Sequence, residues 1–292
     1  MDHRPDPRTD TFTRLRPRLH GIAYRMLGTA AEAEDVVQDA WLRWHGTDAA
    51  SLDSAEAWLV TVTTRLAIDR LRAAKAQRAH YPGFWLPEPQ MEDGPDRLLE
   101  TAHEVSVAFL AVLERLAPEA RAAFLLREVF DMDYGDLART LGKTEAATRQ
   151  IVHRAKAQVR DARPRFAVPD DQHHRLLQGF ADASHRGDLA QLQALLADDA
   201  VLLSDGGGKV PSFGQPLVGA ERIARLFYAG HRRHGDGIVL RVARLNGAWG
   251  LLRFIDGALE SAQAHESDGH RIVRIHVQRN PDKLARLAAA LR

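Results

Sequence analysis

No cysteine occurs in the 292 residues, which excludes disulfides, thiolate nucleophiles, Cys-ligated zinc and iron–sulfur clusters. Long apolar runs are missing too: stretches such as VSVAFLAVL at 105–113 fall well short of the roughly 18 residues of a membrane span. The opening segment, MDHRPDPRTD, alternates charges and carries two prolines but no apolar stretch, which excludes a secretory signal. By elimination the chain is expected in the cytoplasm. Net charge is also nearly absent, since 40 Lys+Arg against 39 Asp+Glu leave +1, and taken whole this predicts no attraction to nucleic acid or to anionic membrane. What remains is the composition of a globular protein, 45% hydrophobic and 27% charged, at a length that suits two or three domains.

Two punctuated stretches divide the chain. YPGFWLPEPQMEDGP at 81–95 holds four prolines and two glycines, and RPRFAVPDD at 163–171 is again proline-flanked, so both read as linkers. Residues 10–80 have helical periodicity throughout. In 29–44, Ala33, Val36, Val37, Ala40, Trp41 and Trp44 recur at steps of three and four, with Glu34, Asp35, Gln38, Asp39 and Arg43 on the other face. Thr29 and Glu32 match a capping box at its start. A second helix from Ser54 turns Trp58, Leu59, Val62 and Leu66 inward. Residues 96–162 are helical as well, with Pro118 placed just inside a helix, where its missing N–H costs nothing. After 171 the pattern changes: a helix over 172–197, β-rich runs at 200–204, 238–244, 248–254 and 271–277, and a helix at 219–233 predict a separate α+β domain.

The sharpest local signal is YGDLARTLGKTEAATRQIVHRAK at 134–156. Leu137, Ala138 and Leu141 form the buried side of a short helix, Gly142 supplies a turn, and Thr144 caps a second helix with Ala147, Ile151 and Ala155 inward. Glu145, Thr148, Arg149, Gln150, His153, Arg154 and Lys156 then face outward, as in a helix-turn-helix whose second helix reads base edges and phosphates. Residues 139–165 carry eight Lys/Arg against two Asp/Glu, a local +6 inside a neutral chain. The bland reading is two packed helices with a solvated basic face, and the charge excess together with the spacing favours DNA. A second basic strip, 63–80, is +4 and includes Arg65, Arg70, Arg72, Lys75 and Arg78. By contrast, 29–42 has four acids and no basic residue, and 88–104 has six acids and one Arg, so neither surface suits DNA. The first fits a basic protein partner. The second could shield a basic groove, and simple solubility is the alternative for both.

The runs AYRMLGTAAEAEDVVQDAWLRW (23–44), AWLVTVTTRLAIDRLR (57–72) and LAPEARAAFLLREVFDMDYGDLARTLGKTEAATRQIVHRAKAQVR (116–160) resemble the two conserved regions of an extracytoplasmic-function RNA polymerase sigma factor. The resemblance covers about the first 165 residues. It implies a sigma-2 domain at 10–80, a Pro-rich acidic linker at 81–104 and a sigma-4 domain at 105–165. It further implies that the helix carrying Glu34, Asp35, Gln38, Asp39 and Arg43 docks on core polymerase at the β′ clamp, with the β flap as a second contact. Thr61, Arg65, Arg72, Lys75 and Arg78 would serve the promoter's minus-ten region. Thr144, Glu145, Arg149, Gln150, His153, Arg154 and Lys156 would serve the minus-thirty-five region. The loop 46–53, where the family captures a flipped base, is GTDAASLD here and lacks the aromatics that stacking favours.

Residues 171–292 resemble the polyketide-cyclase-like (SnoaL-like) cone, making the expected architecture two all-α domains followed by an α+β cone. WLPEP (85–89), DGGGK (205–209) and NPDKL (280–284) resemble signatures of the sigma subgroup that carries this extension in place of a separate anti-sigma factor. That implies an interdomain regulatory set of Trp85, Pro87, Asp205, Gly206, Gly207, Lys209, Asn280, Pro281, Asp282 and Lys283, contacting the sigma domains in cis. Enzymatic use of the cone is weighed on His265, His270, His276, Asp236 and Asp256, of which no pair stands at a metal or acid–base spacing, and on His173 and His174, which are adjacent and point two ways. No enzyme activity, cofactor or metal is expected, and the cone pocket leaves room for a small-molecule ligand. The rival of another class is a one-component DNA-binding repressor or sensor, for which the acidic helix at 29–44 has no use.

Overall fold

The helices of the first half form where apolar residues recur every three or four positions, and three of them stop at Gly28, Gly46 and Gly142. The computed structural model describes residues 7–78, 81–91, 106–162 and 168–291. Its helices there are α1 (Pro7–Leu27), α2 (Ala30–His45), α3 (Ala55–Arg78), α4 (Val107–Leu113), α5 (Pro118–Glu128), α6 (Tyr134–Leu141) and α7 (Glu145–Ala162). Thr29 stands at the N-cap of α2, but its hydroxyl donates to Glu32 Oε2 at 2.6 Å instead of accepting a backbone N–H, so the expected capping box does not form. Pro118 opens α5, as its lack of an N–H allows.

The described residues divide into two units. The first combines 7–78 with 112–162, so both helical blocks share one unit. Its core runs through Leu19, Ile22, Met26, Val36, Ala40, Trp44 and Leu59, with α5 laid against α1, α3, α6 and α7. Two polar groups are satisfied inside it. Trp44, 1% exposed, donates its indole N–H to the Arg8 carbonyl at 3.0 Å. Arg121, also 1% exposed, donates to the Arg25 carbonyl at 3.0 Å and pairs with Glu114. A buried guanidinium without such partners would be strongly destabilising.

The second unit combines the described parts of 81–91, 106–111 and 168–291. It holds α8 (Asp170–Arg186), α9 (Leu189–Ala194), β1 (Leu196–Asp205), β2 (Leu217–Val218), α10 (Ala220–His234), β3 (Ile238–Leu245), β4 (Ala248–Ile255), β5 (Ala258–Ser267), β6 (Ile272–Gln278) and α11 (Pro281–Ala290). The sheet order is β2-β1-β6-β5-β4-β3, antiparallel except for the parallel pair β1 and β6. Helices α8 and α10 close one face of the curved sheet, where Phe180 meets Phe227 edge-on at 4.9 Å above Leu202, Leu251 and Ile275. On the other face Leu284 and Leu287 of α11 cover Leu252, Phe254 and Ala262. This is the α+β domain expected from the sequence, to which the short strand β2 and the helix α11 are added, and two further differences have a local cause. The helix expected over 172–197 breaks at Gly187, after which Asp188 caps α9 by accepting the Gln191 N–H at 2.9 Å. Strand β5 has no counterpart among the expected strands, because Ser261, Gln263 and His265 take the inward positions.

Candidate nucleic-acid interface

The helix-turn-helix is built as its residues dictate. Asp133 caps α6 by accepting the Asp136 N–H at 2.8 Å, and α6 stops at Gly142, whose φ of +65° is the left-handed conformation glycine adopts without cost. Thr144 Oγ1 accepts the Ala147 N–H at 3.2 Å and starts α7. The inward row of α7 is Thr148, Val152, Ala155 and Val159, so Ala155 is buried as expected while Ala147 and Ile151 are only half-buried. Thr148 is fully buried and donates to the Thr144 carbonyl at 3.0 Å, which corrects its expected outward placement. Thr144, Glu145, Arg149, Gln150, His153, Arg154 and Lys156 are exposed on the opposite side. Arg149 lies 4.2 Å above the Tyr134 ring and 3.2 Å from Glu145, so its guanidinium is held in place but open to a partner. Lys156 pairs with Glu128 at 2.7 Å.

The basic strip of α3 is less open. Arg65 donates from Nε to the Thr140 carbonyl and from Nη2 to the Arg139 carbonyl, each at 3.0 Å. Thr61 Oγ1 is 3.0 Å from Thr140 Oγ1. Arg72 reaches Glu119 at 2.6 Å, and Arg78 reaches Glu114 at 2.5 Å. The Lys75 side chain and residues 92–105, which carry most of the acidic linker, lie outside the described residues. Arg70, counted with the basic strip, points the other way and bonds Asp35 and Asp39 of α2 at 3.1 and 3.0 Å.

On α2, Glu34 accepts from Arg16 at 2.7 Å, while Gln38 and Arg43 are exposed. Glu34 and Gln38 edge a groove of about 410 Å³ floored by Phe12, Val37 and Trp41. The acidic row is thus set beside an apolar trough. Its carboxylates are partly neutralised by Arg16 and Arg70, a feature the acid count along 29–42 does not contain.

In the second unit the three short strings meet at Asp205, which is fully buried. Its carboxylate accepts from Tyr81 Oη at 2.7 Å, Leu86 N at 2.9 Å, Gly207 N at 2.9 Å, Gln278 Nε2 at 3.2 Å and Lys283 Nζ at 2.7 Å. Lys283 also donates to the Leu86 carbonyl at 2.6 Å and sits 4.0 Å over the Trp85 ring. The Pro87 carbonyl accepts from Gln278 at 3.2 Å. Burial and the adjacent Asp205 carboxylate push the Tyr81 phenol above its usual pKa, which keeps it a donor. Gly206 and Gly207 are required for closeness: a Cβ would stand 2.2 Å from the Val210 carbonyl and 2.4 Å from Asn280 respectively. Asn280 caps α11, Pro281 follows as its first residue, and Lys209 reaches across to Asp282 at 2.6 Å. Leu86, inside WLPEP, completes this cluster together with Tyr81 and Gln278, which lie outside the three strings. Gln278 lies two residues before NPDKL, and that adjacency was the available signal.

Of the histidines considered for catalysis, His265 lies near His173 but is kept apart from His276. His265 and His276 project to opposite faces of the sheet, since His265 pairs with Ile275 while His276 pairs with Ala264. Burial, reinforced by nearby His173, lowers His265 from its ordinary value to about 3, so it is neutral. His276 instead bonds Glu266 at 2.7 Å.

The family models agree with this anatomy: Sigma-70 region 2 matches residues 11–77 and Sigma-70, region 4 matches residues 106–159. The chain is 35% identical over 290 residues to the ECF RNA polymerase sigma factor SigJ of Mycobacterium tuberculosis, covering 93% of this chain and 91% of that protein. It is 31% identical to the probable ECF RNA polymerase sigma factor SigI of the same species, covering 98% of each. The crystal structure of M. tuberculosis SigJ superposes with a TM-score of 0.77 at 31% identity, covering 95% of this chain and 98% of that one. The chain therefore belongs to the extracytoplasmic-function sigma factors, with an α+β domain following its two sigma regions.

Proposed function

We propose that this transcription initiation factor directs core RNA polymerase to a two-element promoter through three surfaces. The outward row of α7, with Arg149, Gln150, His153 and Arg154, reads the minus-thirty-five element. The basic strip of α3, with Thr61, Arg65, Arg72, Lys75 and Arg78, serves the minus-ten element and the separated strand. The row Glu34, Asp35, Gln38, Asp39 and Arg43 on α2 docks on the β′ clamp, and the helix-turn-helix region adds a contact with the β flap. The observation that carries the reading is the acidic row beside its apolar groove. A factor acting on DNA alone has no use for it, which weighs against the one-component repressor.

Control in cis is the second part of the proposal. The segment 81–91 joins the two sigma regions along the chain, and Asp205, Gln278 and Lys283 of the cone hold it. The cone thereby grips the tether on which the separation of the two sigma regions depends. We read it as regulatory rather than catalytic, supported by the placement of His265 and His276 on opposite sheet faces. The test is run-off transcription with purified core polymerase and the full chain. Factor-dependent transcript from a cognate promoter is expected, and no transcript from any promoter-bearing genomic template would overturn the reading.

A further inference from the structure

Four of the residues assigned to the minus-ten element bond the second sigma region, Arg72 while also bonding Asp69 and Arg78 while also bonding the Leu27 carbonyl, and the pattern of acceptors is informative. Glu119, in the first turn of α5, accepts from Arg72 at 2.6 Å and lies 3.0 Å from Lys143 Nζ. Lys143 follows Gly142 in the turn before the recognition helix. One carboxylate therefore holds a cation from each of the two modules read as touching DNA. Lys143 and then Arg72 keep that carboxyl below the usual range, so it is ionised wherever DNA would bind. Arg65 is satisfied by the last carbonyls of α6, at the negative end of a helix dipole. Glu114 takes Arg78. Carboxylates and outward carbonyls are the acceptors by which protein can imitate a phosphate backbone.

We propose that Glu119, supported by Glu114 and the carboxyl end of α6, is a built-in phosphate surrogate that occupies cations of α3 and of the helix-turn-helix turn until promoter DNA displaces it. The inference rests on the assignment of α3 to the minus-ten element. Donors spent on Glu119 are not available to a phosphate, so the clasped form binds promoter DNA less well. The factor's apparent affinity for DNA is then reduced by the fraction of molecules that are clasped. The pairs are partly exposed, with Arg72 at 54% and Glu119 at 37%, so salt weakens the clasp as it weakens DNA binding.

The absence of cysteine makes the test clean, because Arg14→Cys and Gln158→Cys, on exposed positions of α1 and α7, accept a fluorophore pair and nothing else does. In the full chain, Glu119→Gln should lengthen the mean label separation and tighten binding of a promoter DNA fragment about two- to fivefold. Adding that fragment to the unsubstituted chain should lengthen the same separation. Glu119→Lys, which places a cation opposite Arg72 and Lys143, should open the clasp further, with circular dichroism confirming the fold. Unchanged separation and unchanged DNA affinity in both variants overturn the proposal. A third outcome separates it from its premise. If Glu119→Gln lengthens the separation but Arg65→Ala and Arg72→Ala leave polymerase-dependent promoter melting intact, the clasp stands as a mere interdomain contact, and both the surrogate and the minus-ten assignment of α3 fall.

Discussion

Lys283 Nζ lies 2.7 Å from Asp205 Oδ2, and neither side chain exposes more than 9% of its surface. A pair so placed is expensive to form and more expensive to break, because removing one member leaves the other buried and charged. Asp205→Ala should therefore cost about 3–5 kcal/mol. Thermal or denaturant unfolding of the full chain measures it. The double variant Asp205→Ala/Lys283→Met should recover part of the loss, whereas additive losses would show that the two residues do not act as a pair. Promoter activity should change together with stability, since Asp205 also fixes Leu86 of the tether.

The pH dependence of the cone follows from His265. The folded domain holds it neutral, with its pKa lowered from 6.5 to about 3 by burial and by His173, so the unfolded chain binds the proton first. Its stability contribution is complete above about pH 6.5 and is lost progressively as the pH falls toward 3. Carboxylates such as Glu260 act in the same direction but only lower: burial raises it, Arg253 and Arg279 outweigh that, and the net depression below 4.5 confines its loss to more acid solution. Between pH 6.5 and 4.5 the decline in the cone's unfolding midpoint should be flattened by His265→Leu. An identical slope in the variant would remove the histidine from the account.

Much of this molecule is legible in its residues, and what is not has a physical reason. Helix periods, the Gly142 turn and the three strings that meet at Asp205 were all visible, because each is local or carries a distinctive composition. Strand β5 was not: its inward positions are Ser261, Gln263 and His265, which read as a polar loop when apolar alternation is the criterion. Thr148 looked outward because it is polar, yet its hydroxyl is satisfied by the carbonyl one turn back and its methyl can be buried. The charge map is incomplete in one strip: a local sum of +4 over 63–80 counts cations without saying what they face, and Arg65, Arg70, Arg72 and Arg78 face protein acceptors here.

Asp35 and Asp39 share Arg70, at 3.1 and 3.0 Å, on a surface where Asp35 remains 60% exposed. Reversing the charge in Asp35→Lys should change stability by no more than about 1 kcal/mol, as exposed pairs do. Affinity for core polymerase should fall about tenfold or more, because like charges across an interface cost several kcal/mol. The fall is measured by competition against the unsubstituted factor. Binding of the full-length variant to a minus-thirty-five duplex should be unchanged. Equal loss in both assays would indicate misfolding and withdraw the assignment.

Arg149 is the residue of α7 on which base reading turns. Its guanidinium rests 4.2 Å from the centre of the Tyr134 ring and is steered by Glu145 at 3.2 Å, which limits its rotamers without burying its donors. A preoriented arginine fork suits the two acceptors of guanine in the major groove. Arg149→Ala should then cost about 1–3 kcal/mol at a single promoter position and relax the preference there. Binding measured across single-base promoter variants distinguishes the alternatives. A loss confined to one position assigns the base contact, whereas a uniform loss with a shallower salt dependence assigns Arg149 to phosphate. Tyr134→Leu should produce a weaker version of the same pattern, since it removes the surface that holds the guanidinium while leaving its charge in place.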